Sequence, residues 1–150
     1  PTTALDPTVQ AGVLALLADI VRQRRLSMLF VSHDLGVVAE VADRVAVMYA
    51  GEMLEVGACE ALLTSPAHPY TAALLASRPF AQRRGTRLRT IEGQVPTAGA
   101  STGCAFAARC SHAIDACSAA PIAVTSLGGD HLVRCLRHDE VDTSGHRLQP

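Results

Sequence analysis

One pattern limits the fold more than any other: a long stretch of helical periodicity leads into a short apolar run, and the run stops at a histidine. Asp6-Pro7 is a helix start, since Asp can cap free amides and Pro fits the first helical position, where no donor is needed. Val9, Val13, Leu16, Leu17, Ile20 and Val21 then recur at the spacing of one buried helical face, and cations at Arg22 to Arg25 suit the helix end. Met28-Leu29-Phe30-Val31 is continuous and apolar, as expected of a strand buried on both faces of a parallel sheet. Ser32-His33-Asp34 interrupts it, and Leu35 to Ala42 reads as a second, shorter helix. Val45 to Tyr49 and Met53 to Val56 are further apolar runs, separated by a tight turn at Ala50-Gly51-Glu52. Helix, strand, helix, strand, strand is the back half of an α/β sheet and too little for a whole one.

The character changes from Gly57 onward. Cys59 to Leu63 and Tyr70 to Ala76 read as short helices around a Pro66-Ala67-His68-Pro69 break. An Arg-rich stretch and a segment rich in Gly, Pro and Thr follow, and four of the five cysteines lie beyond Gly103. The expected organisation is an α/β part over residues 1–77, a linker over 78–103, a small irregular cysteine-containing extension over 104–138 and a floppy tail over 139–150.

Composition narrows the partners. With 49% hydrophobic and 18% charged residues the chain suits a packed protein, and a net charge of -1 gives no overall field to recruit nucleic acid or anionic membrane. Arg78, Arg83, Arg84, Arg87 and Arg89 form the only local basic cluster. No aromatic side chains are interleaved there for base stacking, so it reads as a solvated linker. The apolar stretches fall far short of the roughly 20 residues that span a bilayer, and no N-terminal signal segment is visible. Pro1-Thr2-Thr3-Ala4-Leu5-Asp6 lacks an initiator Met and reads as the middle of something longer.

His33 carries the first chemistry. At the C-terminal end of a parallel strand, an imidazole can donate to phosphate or orient a water, although a histidine in that position is more often structural. Pro1 to Asp6, then Ser32-His33-Asp34, then Ala42-Asp43-Arg44-Val45 and Met48-Tyr49-Ala50-Gly51 together closely resemble ABC-type ATPases. The resemblance implies a P-loop ATPase domain of which this is the C-terminal half. In it Ala4-Leu5-Asp6 would match the D-loop, with Asp6 reaching the partner subunit's site, and His33 would match the H-loop histidine at the ATP γ-phosphate. ATP with Mg2+ is the implied cofactor. The phosphate-binding loop, the signature and the Walker B acids are not in this chain, so ATP hydrolysis is expected of the full-length protein and not of this stretch alone.

The resemblance narrows downstream. His68-Pro69-Tyr70-Thr71, Leu74-Leu75, Ile91-Glu92-Gly93-Gln94-Val95-Pro96 and Gly103-Cys104-Ala105-Phe106-Ala107-Ala108-Arg109-Cys110, continued by Cys117, Pro121, His131 and Cys135, are similar to the C-terminal extension of oligopeptide/dipeptide importer ATPases. The family implies a second ATP-binding subunit, two membrane permeases and, indirectly, an extracytoplasmic peptide-binding protein. It also implies a place on the inner face of the cell membrane. Nickel, sugars and other solutes are carried by relatives, so the substrate stays open.

Cys104, Cys110, Cys117 and Cys135 are separated by five, six and seventeen residues. Structural zinc ligands usually pair two to four residues apart, and disulfides are disfavoured in a cytoplasmic setting. Four thiolates in a module with little core would suit a [4Fe–4S] cluster, which some members of the resembled subfamily hold; plain buried thiols are the alternative. Arg109 is expected to offset thiolate charge, while Cys59, His112 and His131 stand outside the set. A rival reading of the whole chain is a non-catalytic iron–sulfur or metal-binding module from a truncated transporter gene.

Overall fold

The computed structural model describes residues 6–77 and 90–141. The D-loop positions before Asp6, the Arg cluster and the chain from residue 142 lie outside the described residues. Two compact units are formed, Pro1–Ala42 and Asp43–Pro150.

In the first unit, helix α1 (Pro7–Arg24) begins where Asp6 accepts from the backbone N–H groups of Thr8 at 2.9 Å and Val9 at 3.0 Å. It ends at Arg25, whose left-handed backbone (φ 51°) turns the chain away after a last turn carrying Arg22 and Arg24. Helix α2 (Leu35–Val41) is capped by Asp34, which accepts from Gly36 at 2.8 Å. Leu14 and Val37 are enclosed, but the expected apolar face of α1 is largely open, with Leu16 59% exposed.

The anticipated strand at Met28 to Val31 is absent. Those residues have no regular structure, and Leu29 and Val31 are 93% and 84% exposed. A strand buried on both faces needs strands along its edges and a layer over each face. The described part of this unit offers two helices and neither requirement.

The second unit is built on a sheet. Strands β1 (Arg44–Tyr49) and β2 (Glu52–Ala58) form a hairpin in which Arg44 pairs with Ala58 and Tyr49 with Glu52. Ala50 and Gly51 both have positive φ, 47° and 84°, the two-residue turn whose twist matches a hairpin. Helix α3 (Cys59–Thr64) follows directly and buries Leu62 and Leu63. Helix α4 (Pro69–Ala76) starts at His68, with Pro69 at its first position. Beyond Gly103 come a 3-10 turn at Ala107–Arg109, helix α5 (Ala116–Ala119), strands β3 (Thr125–Gly128) and β4 (His131–Val133) and a 3-10 turn at His138–Glu140.

The sheet order is β1-β2-β4-β3 and every pairing among the described strands is antiparallel, with the expected tight turn joining β1 to β2. β4 lies on the free edge of β2, with Glu55 opposite Val133 and Val56 opposite Leu132. The segment from Thr125 to Val133 therefore completes the hairpin's sheet. An edge strand presents unpaired backbone groups, and β4 satisfies those of β2.

The core joins the same two stretches. Tyr49 and Leu54 from the hairpin pack with Ala105 and Phe106. The rings of Tyr49, Tyr70 and Phe106 meet pairwise with centroids 4.7, 5.3 and 5.1 Å apart, within the range of favourable aromatic contacts. A second small cluster gathers Ala67, Val133 and Cys135.

Candidate functional site

The residues expected at a nucleotide are both in the first unit and both exposed. Asp6 serves as the cap of α1. His33 sits one residue ahead of the cap of α2, in a turn where the Ser32 hydroxyl accepts from the Asp34 N–H at 3.0 Å. The turn fixes the backbone around His33 and leaves its ring facing solvent.

The cysteines behave differently. Gly103 lets the chain pass so close to α5 that the Cys104 N–H donates to the Cys117 carbonyl at 2.7 Å; a Cβ on Gly103 would run into that carbonyl. The 3-10 turn after Phe106 then returns the chain to Cys110, whose own carbonyl accepts from Ala113. β4 delivers Cys135 from the other side. Cys104, Cys110, Cys117 and Cys135 all line one pocket, together with His68, Pro69, His112, Ile122, Leu136 and Arg137. All five cysteines are free thiols, and Cys59 lies apart, at the start of α3. Among the described residues, no group of three or more His, Cys, Asp or Glu could hold a metal ion as the side chains stand.

Opposing influences act on these thiols. Burial pushes Cys104, Cys110 and Cys135 up, Cys135 to about 11, and each neighbouring sulfur would add repulsion if ionised. Backbone amides pull the other way: Phe106 and Ala107 donate to Cys104, His112 to Cys110 and Arg137 to Cys135, the last at 3.3 Å. The cation that favours the thiolate is Arg137, beside Cys110.

Arg109 does not play that part. Its guanidinium donates to the Glu92 carbonyl at 2.7 Å, the Ile91 carbonyl at 2.5 Å and the Tyr49 hydroxyl at 2.9 Å. It clamps the Ile91-Glu92-Gly93 segment onto the hairpin. Five donors in a rigid fork suit a residue that must catch two carbonyls and a hydroxyl at once.

The spacing of the cysteines did not suggest two further buried side chains, Glu55 and His68, of which His68 lines the pocket. Glu55 is 1% exposed, and its carboxylate accepts from the Ala67 N–H at 2.7 Å and the His68 N–H at 3.1 Å. His131 Nε2 lies 2.8 Å from the same carboxylate. His68, also 1% exposed, has its Nε2 3.9 Å from the Cys104 sulfur. His68 was visible as a motif residue ahead of Pro69; nothing in the local pattern around Glu55 marks it as buried.

Comparison with known proteins agrees with the motif resemblance. The family model described as oligopeptide/dipeptide transporter, C-terminal region, matches residues 54–117, from β2 to α5. The matched stretch contains Cys104, Cys110 and Cys117, and Cys135 lies beyond it, two residues past β4. Similarity to whole proteins runs along almost all of the chain. A protein of Brucella ovis named for peptide import and ATP binding is 47% identical over 148 residues, 94% of this chain and 44% of its own length. The dipeptide transport ATP-binding protein DppD of Bacillus subtilis is 44% identical over 141 residues, 93% of this chain and 42% of its own. The oligopeptide transport ATP-binding protein AppD of the same organism is 44% identical over 142 residues, 93% and 43%. The chain thus resembles the ATP-binding subunits of peptide ABC transporters, and it spans less than half the length of the curated relatives it matches. No helix among the described residues is long and apolar enough to cross a membrane.

Proposed function

We propose that this chain forms part of an ATP-binding subunit that energises ABC-type import of peptides, with its oligopeptide-transporter region carrying a four-thiolate centre. The observation that carries the first half is identity above 40% along nearly the entire chain to proteins named for peptide import and ATP binding. In the assembled subunit His33 would meet the ATP γ-phosphate and Asp6 would lie near the second subunit's site. The remaining phosphate-binding and base residues, with Mg2+, would come from parts of the domain outside this sequence. The subunit would sit on the inner face of the membrane against two permeases, as the resemblance to importer ATPases implies. The rival reading, a free-standing metal module, leaves the similarity of residues before Leu54 without explanation.

The test of this half uses the full-length subunit. His33→Ala is expected to lower ATP turnover about 10²–10³-fold, the usual cost of removing a group that acts mainly on the transition state. Nucleotide affinity should change little. Wild-type turnover in the variant overturns the assignment of His33.

For the second half, the donor set is the support. Four sulfurs face one pocket, three of them accept backbone N–H groups, and the lining contains no carboxylate. Soft thiolate donors select iron–sulfur clusters or soft ions over hard cations. Cys104, Cys110, Cys117 and Cys135 would hold such a cluster, and when bound it would supply a cross-link between β4 and the 3-10 turn together with one-electron redox chemistry. The amides at Phe106, Ala107, His112 and Arg137 would compensate sulfur charge, and Arg137 would add a cation beside Cys110.

A further inference from the structure

His68 has two ring nitrogens with different partners. Nδ1 lies 3.0 Å from the Tyr70 backbone nitrogen, which can only donate, so Nδ1 is the acceptor that caps α4. A ring nitrogen that accepts carries no proton, so the ring proton resides on Nε2. Nε2 faces the Cys104 sulfur at 3.9 Å. The residue has little freedom to turn away. Its backbone N–H is held by Glu55, which is itself held by His131, and its ring stands 6.2 Å from that of Phe106 at 57°.

We propose that His68 is a positioning residue for the sulfur centre, donating Nε2–H to Cys104 Sγ and tying that sulfur to the N-terminus of α4. The effect on a bound cluster rests on the four-thiolate reading above; the hydrogen bond itself does not. A donor to a ligand sulfur withdraws charge from it and favours the more negative, reduced state of the centre, so it raises the reduction potential. It also means that the element caps and the sulfur site move together: releasing Cys104 releases the cap of α4 from one of its supports.

Two substitutions separate the two nitrogens. His68→Asn keeps a short acceptor able to cap Tyr70 but is too short to reach the sulfur. His68→Gln carries an N–H donor near the position of Nε2 and has no acceptor at Nδ1. With the full chain reconstituted from ferrous iron and sulfide, His68→Asn should keep the wild-type iron content and show a more negative midpoint potential. His68→Gln should lie between the two. An Asn variant with the wild-type potential overturns the proposed influence on the centre. Nitrogen NMR of the reduced, metal-free chain tests the bond whether or not iron is taken up. The proton should be on Nε2, and its exchange with water should accelerate about tenfold in Cys104→Ala, the loss of roughly one hydrogen bond. A proton on Nδ1, or exchange indifferent to Cys104→Ala, overturns the proposal. A chain that takes up no iron while passing the NMR test removes the cluster and leaves His68 as the partner of a thiol.

Discussion

Glu55 is a carboxylate without access to water, kept in place by two backbone amides and the His131 ring. Truncating such a group leaves those donors buried and unpaired, which costs more than the bonds themselves contribute. Glu55→Ala is expected to destabilise the chain by about 1–3 kcal/mol for each buried donor left unpaired. Urea unfolding of the variant measures it, and a loss under 1 kcal/mol would show the network to be replaceable. His68 gives a pH dependence of definite sign. Its pKa falls from 6.5 in the unfolded chain to about 4 when folded, so the unfolded state binds more protons between those values. The contribution of His68 is complete above pH 6.5 and is lost as pH falls toward 4, on the order of 3 kcal/mol in all. Denaturation midpoints at pH 7 and pH 4.5 should differ less in His68→Asn than in the wild type. Neither role was legible at the level of single residues. His131 was set aside as a bystander to the cysteines, and the carboxylate it contacts lies 76 positions upstream. The capping role of Asp6, by contrast, was readable from Asp6-Pro7 alone.

Among the elements, the hairpin was the most legible, because alternating burial and an Ala-Gly turn are both local signals. Helix α1 was legible at both ends, through Asp6-Pro7 and the run of arginines. The run at Met28 to Val31 was not, since four apolar residues specify a buried strand only when other strands are present to bury it. β3 and β4 were passed over although Gly128-Gly129 between short β-prone runs is a hairpin signal; so few residues hold together only because β2 offers them an edge. Gly103 is the element-scale control point of the sulfur pocket. A Cβ there collides with the Cys117 carbonyl, so Gly103→Ala must separate α5 from the start of the 3-10 turn. The expected cost is about 1–3 kcal/mol, typical of forcing extra atoms into a packed site. Thermal unfolding would read the loss, and reactivity of Cys117 toward a thiol reagent should rise. Unchanged melting and unchanged reactivity would show that the close approach has slack.

On the scale of the whole molecule, the hairpin and the cysteine segment form one sheet and one aromatic core, so the region after Gly103 is an integral layer of the second unit. The first unit presents apolar residues that its own helices do not cover, as expected if further parts of an ATPase domain pack there. Taken alone, this chain should show no ATP binding in a calorimetric titration at micromolar concentrations, since it carries no phosphate-binding loop; clear binding would contradict the division of labour described above. The central claim is that four cysteines, two flanking the 3-10 turn at Ala107–Arg109, one in α5 and one just after β4, form one thiolate centre in a peptide-importer ATPase subunit. Iron and sulfide analysis of anaerobically purified chain tests it most directly. The account predicts a brown protein with about four irons per chain, bleached by Cys110→Ser and by Cys135→Ser alike. A colourless preparation free of iron under those conditions, or one whose iron survives either substitution intact, would contradict it.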